Sequence, residues 1–313
     1  MHATNSFLYT VIERIRGYLD DPDLDAKYSD DFIIRHVIMP AMTSVVSRVN
    51  NSLSNPVVCR LRVTLAADQQ YYQLPPTVGE VWAVCEYNSE TGYIEKDTIP
   101  RSFYSPHGPN WSLEGNQLSV RPIPKETQDI DIFYTHSGDL MLHYGEAGKL
   151  NTDRDGNVTE LTIGTATLGG HDLRPNAYAG SMLRVFSSGA TGSTTEIVEE
   201  RLIESSSITS FKGSTNITLT TRLGFNFHSD ATAVKYEIAP FGLQAMYEAV
   251  AAAGSLKLAA YKKVSGTHYQ MIQMQYKDAM KTVCDHYANM QMRLPKHYDK
   301  DTWDNYDNLQ VLP

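Results

Sequence analysis

The sequence predicts an α+β protein. The expected architecture is a helical bundle formed by N-terminal and C-terminal helices, with antiparallel β-rich domains between and an extended C-terminal arm. Three observations carry this. Apolar residues recur three and four apart near both ends of the chain. From Val57 the period changes to two. From Leu140 to Val234 the chain is dense in Gly, Thr and Ser, with short alternating runs. The expected division is 1–56 and 238–294 for the bundle, 57–138 for a β domain, 139–237 for an inserted β-rich domain, and 295–313 for the arm.

The first helix is capped by Asn5 or Ser6 and carries the stripe Phe7, Leu8, Val11, Ile12, Ile15 and Leu19. Asp20-Asp21-Pro22 stops it. Ser29 caps the second, with Asp30 and Asp31 in the first turn, where the helix dipole favours anions. Its stripe runs from Ile33 to Val49, and Pro40 inside it predicts a kink or break. A third run begins at Pro240, is interrupted at Gly254-Ser255 and closes at Ser265-Gly266. A fourth shows Tyr269, Ile272, Tyr276, Met280, Val283 and Tyr287, and Leu294-Pro295 ends it. Each run has an apolar stripe that needs cover, so the two pairs are expected to pack together.

Between them, Val57 to Leu65 alternates as a half-buried strand, and Tyr71 to Pro75 begins the return. Val81 to Tyr87 is a further strand and Pro100 to Pro109 an irregular connection. Trp111 to Leu113 and Leu118 to Val120 form a hairpin across Glu114-Gly115-Asn116, followed by the strand Asp129 to Tyr134. Candidate strands in the second β stretch are Val158–Ile163, Met182–Phe186, Thr195–Ile203, Ile217–Thr221 and Ala233–Ile238, predicting a small sheet or sandwich.

Composition limits the function. The chain has 313 residues, 42% hydrophobic and 20% charged, enough to fold one large or two ordinary domains. A net charge of -9 argues against a protein that coats nucleic acid. The cysteines, Cys59, Cys85 and Cys284, lack metal or redox spacing and read as free buried thiols of a reducing compartment. No long uncharged apolar run or signal peptide is recognised, so no membrane contact is expected.

Catalytic and cofactor fingerprints are missing, so no enzyme activity and no cofactor are expected. Asn151 to Val158 places oxygen donors at alternate positions before Gly156, as a calcium loop does. Its twelfth position is Thr162 rather than Glu, so a polar turn is the better reading. His136 and His143, with Asp139 between, read as solvated loop residues. Asp278, Asp285 and His286 read as a solvated helix face, and His36 as a boundary residue. Arg60, Arg62, Lys257, Lys262 and Lys263 lack the interleaved aromatics of a nucleic-acid surface. Segment 295–313 sets Tyr298, Trp303, Tyr306 and Leu309 among Asp and Asn. It is either a tail, disordered or lying on its own domain, or an arm that docks elsewhere through those residues.

The order of elements resembles one known family. The start signal Ser29 to Ile34 is followed by Val63 to Pro75 (VTLAADQQYYQLP), Trp111 to Pro124 (WSLEGNQLSVRPIP), Ile130 to Tyr134 (IDIFY), an Ala-rich helix and a helix with a Tyr stripe. Over roughly residues 5–135 and 238–293 this resembles the head-to-tail adaptor (connector) proteins of short-tailed bacteriophages. The resemblance implies a structural virion protein, made in the host cytoplasm and placed at the head-tail junction. It implies a ring, commonly of twelve copies, that binds the portal protein and a tail nozzle or tubular protein. Double-stranded DNA would pass through without specific binding, and Tyr298, Trp303, Tyr306 and Leu309 would anchor the arm on the portal. Segment 139–237 departs from the family pattern and would serve a tail protein or fibre. The alternatives are another tail component, a carbohydrate-binding or hydrolytic β domain using Glu196, Glu199, Glu200 and Glu204, and a peripheral DNA-binding module.

Overall fold

A computed structural model describes residues 6–21, 27–52, 58–88, 92–98, 110–139, 142–152, 158–170, 172, 174, 176–188, 196–211, 214–225, 235–239 and 244–291. Helices and mainly antiparallel sheets make up an α+β chain. Helix α1 (Phe7–Leu19) starts at Ser6, whose Oγ accepts from the Tyr9 N–H at 3.3 Å. It stops at Asp20, which is left-handed at φ 50°, a conformation Asp tolerates better than most residues.

The next helix does not break. It runs as α2 (Asp30–Ile33), a π-helical turn over Ile34–Ile38, and α3 (Met39–Ser52). Pro40 cannot donate to the fourth carbonyl back, and its ring crowds that oxygen. The turn before it widens instead, and the Met39 N–H reaches five residues back to the Ile34 carbonyl. By length and composition alone this helix could cross a membrane, contrary to expectation. Here its apolar stripe, from Ile33 through Val37, Met42 and Val46 to Val49, is buried inside the protein.

Helix α4 (Tyr247–Lys262) follows a short 3₁₀ turn, Gln244–Met246, and α5 (Gly266–Gln291) follows α4. The expected interruption at Gly254-Ser255 is a contact point inside α4. A Cβ on Gly254 would stand 2.9 Å from Ile15 Cδ1 and 3.1 Å from Val37 Cγ1. Only a bare backbone lets α4 approach α1 and the π-turn this closely. The Ser255 hydroxyl is satisfied by the Ala251 carbonyl at 2.8 Å. The helical start at Pro240 and the stop at Leu294-Pro295 lie outside the described residues.

Seven strands form the first sheet: β1 (Val58–Leu65), β2 (Tyr71–Gln73), β3 (Val78–Asn88), β4 (Gly92–Thr98), β5 (Asn110–Glu114), β6 (Gln117–Arg121) and β7 (Gln128–His136). Their order is β1-β7-β3-β4-β5-β6-β2. Two features differ from the sequence reading. The β2 segment does not return along β1; it pairs with β6 at the opposite edge. β4, unrecognised in the sequence, pairs parallel with β5, so the sheet is not wholly antiparallel. The core of this unit is Leu61, Leu65, Tyr72, Leu74, Val84, Trp111, Leu118, Val120, Ile130, Ile132 and Tyr134.

The second β unit is neither an open sheet nor a sandwich. It is a closed barrel, β10-β11-β12-β9-β8-β13, with β13 pairing back to β10. The strands are β8 (His143–Thr152), β9 (Val158–Leu168), β10 (Met182–Ser188), β11 (Glu196–Phe211), β12 (Ser214–Phe225) and β13 (Lys235–Ala239). β8 escaped notice because its sequence, HYGEAGKLNT, has two glycines and no apolar alternation. Register puts His143, Leu161, Ile163, Leu183, Val185, Ile203, Ile217, Leu219, Tyr236 and Ile238 on one face, which fills the barrel. Residues from β8, β10 and β13 on the other face share a core with the helices, as where Tyr9 meets Tyr144 edge-on at 4.6 Å.

Candidate functional site

One carboxylate joins the barrel to the helices. Glu237 sits on β13 between Tyr236 and Ile238, so alternation turns it outward toward α1. It is fully buried. It accepts from the Ser6 hydroxyl at 2.9 Å, the Phe7 N–H at 3.0 Å and the Leu8 N–H at 2.5 Å. These are the donors that the first turn of a helix leaves without partners, and the dipole there favours an anion. Arg184, directly across on β10, lies 3.4 Å from Glu237 and 2.7 Å from Glu200 on its other side. Burial holds the Glu237 pKa above the usual carboxylate value, and the α1 donors and Arg184 offset only part of that rise. The sequence pattern missed this residue, because a lone acid between apolar neighbours looks like an edge charge.

A second electrostatic joint lies at the far end of α1. Asp21, buried, pairs with Lys262 at 2.8 Å and lies 3.6 Å from Arg16. Arg16 also binds Asp30 at 2.6 Å and the Tyr28 carbonyl at 3.0 Å. Lys262 therefore serves a tertiary contact, beyond the helix-end role expected of it. The His268 ring bonds the Tyr18 carbonyl at 2.7 Å, tying the start of α5 to the end of α1.

The histidines correct the sequence reading. His136 and His143 are not solvated; both are buried, at the end of β7 and the start of β8. His143 Nε2 meets the Tyr178 hydroxyl at 2.5 Å, and the same oxygen accepts from the Asp172 N–H at 2.6 Å. His136 Nδ1 accepts from the Gly138 N–H at 2.8 Å, which fixes the turn that leaves β7. Asp139 is exposed and stays apart from this pairing, 3.8 Å from Arg174. Among the described residues no group of three or more His, Cys, Asp or Glu could hold a metal ion. Most of the candidate calcium loop, 153–157, lies outside those residues, and its flanks pair as the β8–β9 hairpin.

Burial pushes the His136 pKa down from 6.5 to about 4. The folded state therefore binds its proton less readily than the unfolded chain. Stability from this group is complete above pH 6.5 and lost as pH falls toward 4, a loss of roughly 3 kcal/mol. Replacing His136 by Asn keeps an acceptor near Nδ1 but does not titrate. Urea midpoints at pH 7 and pH 4.5 should therefore differ less in the variant than in the parent protein.

The acids considered for glycan chemistry do not converge. Glu199 and Glu200 are adjacent on β11 and so face opposite sides of the barrel wall. Glu199 pairs with Arg201 at 2.9 Å inside, Glu200 with Arg184 at 2.7 Å outside, and Glu204 is exposed. The Glu196 side chain lies outside the described residues. Among the basic residues, Arg62 makes a two-pronged bridge to buried Asp131 at 2.8 Å on each arm, while Arg60 and Lys257 are exposed. Lys263 forms the left-handed end of α4. Asp278, Asp285, His286 and His36 are exposed. Cys59 and Cys85 are buried free thiols, Cys59 pushed up to about 12 by burial; Cys284, by contrast, is only half-buried and contacts Ser52 at 3.1 Å.

No protein-family model and no curated protein matches this chain. The surface itself is then the remaining guide. Among the described residues its two most exposed large apolar side chains are Tyr261, 62% exposed near the end of α4, and Met274, 63% exposed on α5. Met271, three residues before Met274, shares its outward face, opposite the buried Ile272, Met280, Val283 and Tyr287. Tyr269 is also exposed, at the start of α5. The four sequence-predicted anchors Tyr298, Trp303, Tyr306 and Leu309 lie outside the described residues.

Proposed function

We propose that this chain is a non-enzymatic structural protein of a virion, a head-to-tail adaptor that forms a ring between the portal and the tail. In this reading the helices from both ends act as one bundle and present the ring contact. Met271 and Met274, on one outward face of α5, contribute to one of the two different surfaces that a head-to-tail ring requires. The barrel, joined to the helices through one shared core, serves a tail component, and segment 295–313 engages the portal. The observation that carries the reading is the ordered set of segments Ser29 to Ile34, Val63 to Pro75, Trp111 to Pro124 and Ile130 to Tyr134, closed by the α4–α5 pair. The exposed Met271 and Met274, three residues apart on one face of α5, support it.

The net charge of -9 fits a channel through which DNA slides, since retention needs cations against the phosphates. Electron microscopy of particles tests the reading. A ring of this chain between portal and tail is expected, and particles that lack the chain at that junction would overturn it.

A further inference from the structure

A groove of about 310 Å³ lies where the end of α3 crosses α5. Its apolar lining is Tyr276, Met280 and Cys284, and Arg48, Lys277 and Lys281 stand around it. Arg48 donates to the Tyr276 hydroxyl at 2.9 Å, which holds its guanidinium at the groove. Lys277 and Lys281 are exposed and make no ion pair among the described residues. The α5 acids Asp278 and Asp285 do not line it. A small apolar slot ringed by three cations, in a chain of net charge -9, asks for an aromatic side chain flanked by carboxylates.

The same chain holds such a segment. From Tyr298 to Leu309 it reads YDKDTWDNYDNL, with Asp299, Asp301, Asp304 and Asp307 against one lysine, Lys300. Trp303 and Tyr306 sit at its centre. We infer that segment 298–309 docks back into the α3–α5 groove of its own chain, with Trp303 in the slot and the aspartates facing Arg48, Lys277 and Lys281. Reach permits it. The groove residues from Tyr276 to Cys284 lie within roughly 23 Å of Gln291 along α5, at 1.5 Å per residue. Trp303, twelve residues beyond Gln291, can extend up to about 40 Å. Docking within one chain also has the advantage of a high effective concentration. The segment is thereby parked on its own helices and becomes available to another surface only when something displaces it. The docking does not rest on the adaptor reading; it holds or fails for any chain with this groove and this segment.

Cys284 provides the test, because the other two cysteines are buried. The full chain carrying Asn305→Cys is oxidised with diamide at low micromolar concentration. Fast formation of a disulfide to Cys284 within one chain is expected, seen as a faster-running monomer on a non-reducing gel. Adding Lys277→Glu and Lys281→Glu, both on the surface, should slow it about tenfold. Adding Cys284→Ser should abolish it. A rate untouched by the charge reversals, or no faster than in urea, would overturn the docking. So would disulfides formed only between chains at a rate that rises with concentration. Electron microscopy of particles is unaffected by either result, so failure here and failure of the adaptor reading are separable.

Discussion

Replacing Glu237 by alanine is expected to cost about 3–5 kcal/mol of stability, the usual penalty for removing one partner from a buried charged cluster. The Phe7 and Leu8 N–H groups and the Ser6 hydroxyl would lose their shared acceptor at a site without solvent. Arg184 would lose one of its two carboxylates. Glu237→Gln is expected to cost less, since it keeps one acceptor oxygen, but it turns an amide against helix donors. Chemical denaturation followed by circular dichroism reads both. A Glu237→Ala protein as stable as the parent would mean that the joint between α1 and the barrel contributes nothing.

Gly254→Val should be the second large effect. The added Cβ alone meets Ile15 Cδ1 at 2.9 Å and Val37 Cγ1 at 3.1 Å, and valine adds two methyls. Overpacking of this kind costs typically about 1–3 kcal/mol, against a helix-propensity gain of under about 1 kcal/mol. The mechanism has its own check. Gly254→Ala combined with Ile15→Val, which removes the clashing Cδ1, should lose less than the sum of the single changes. Additive losses would place the strain elsewhere.

Helices were the legible part of this sequence, and the reason is local. Ser6, Ser29, Asp20 and the apolar stripes of the first two helices specify starts, stops and faces within a few residues, and each is found where it was read. Misreadings came where distant parts of the chain decide the outcome. Pro40 predicts a kink or break, and the α-helical ladder is interrupted there, in the form of one widened turn that only the packed structure reveals. Gly254 looks like a weak point until Ile15 and Val37 are placed beside it. β8 carries almost no pattern of its own and is held by β9 and β13 on either side. His136 and His143 looked polar and loop-bound, but strand pairing carried them inside. Barrel closure depends on β13 meeting β10, some fifty residues apart in the chain, and period alone does not record that. The same holds for the surface: helical spacing flagged Tyr269 as part of a core stripe, whereas the structure leaves it exposed beside Met271 and Met274.

The adaptor proposal holds that the chain works by joining larger bodies through its surfaces. Its most direct measurement is the mass of the purified full chain in solution, alone and after mixing with the portal protein of the same virion. The account predicts a many-copy complex on the portal, and a loss of that complex when Met274 is replaced by Asp while the fold is retained. A single chain that stays a monomer beside the portal, unchanged by Met274→Asp, would contradict it.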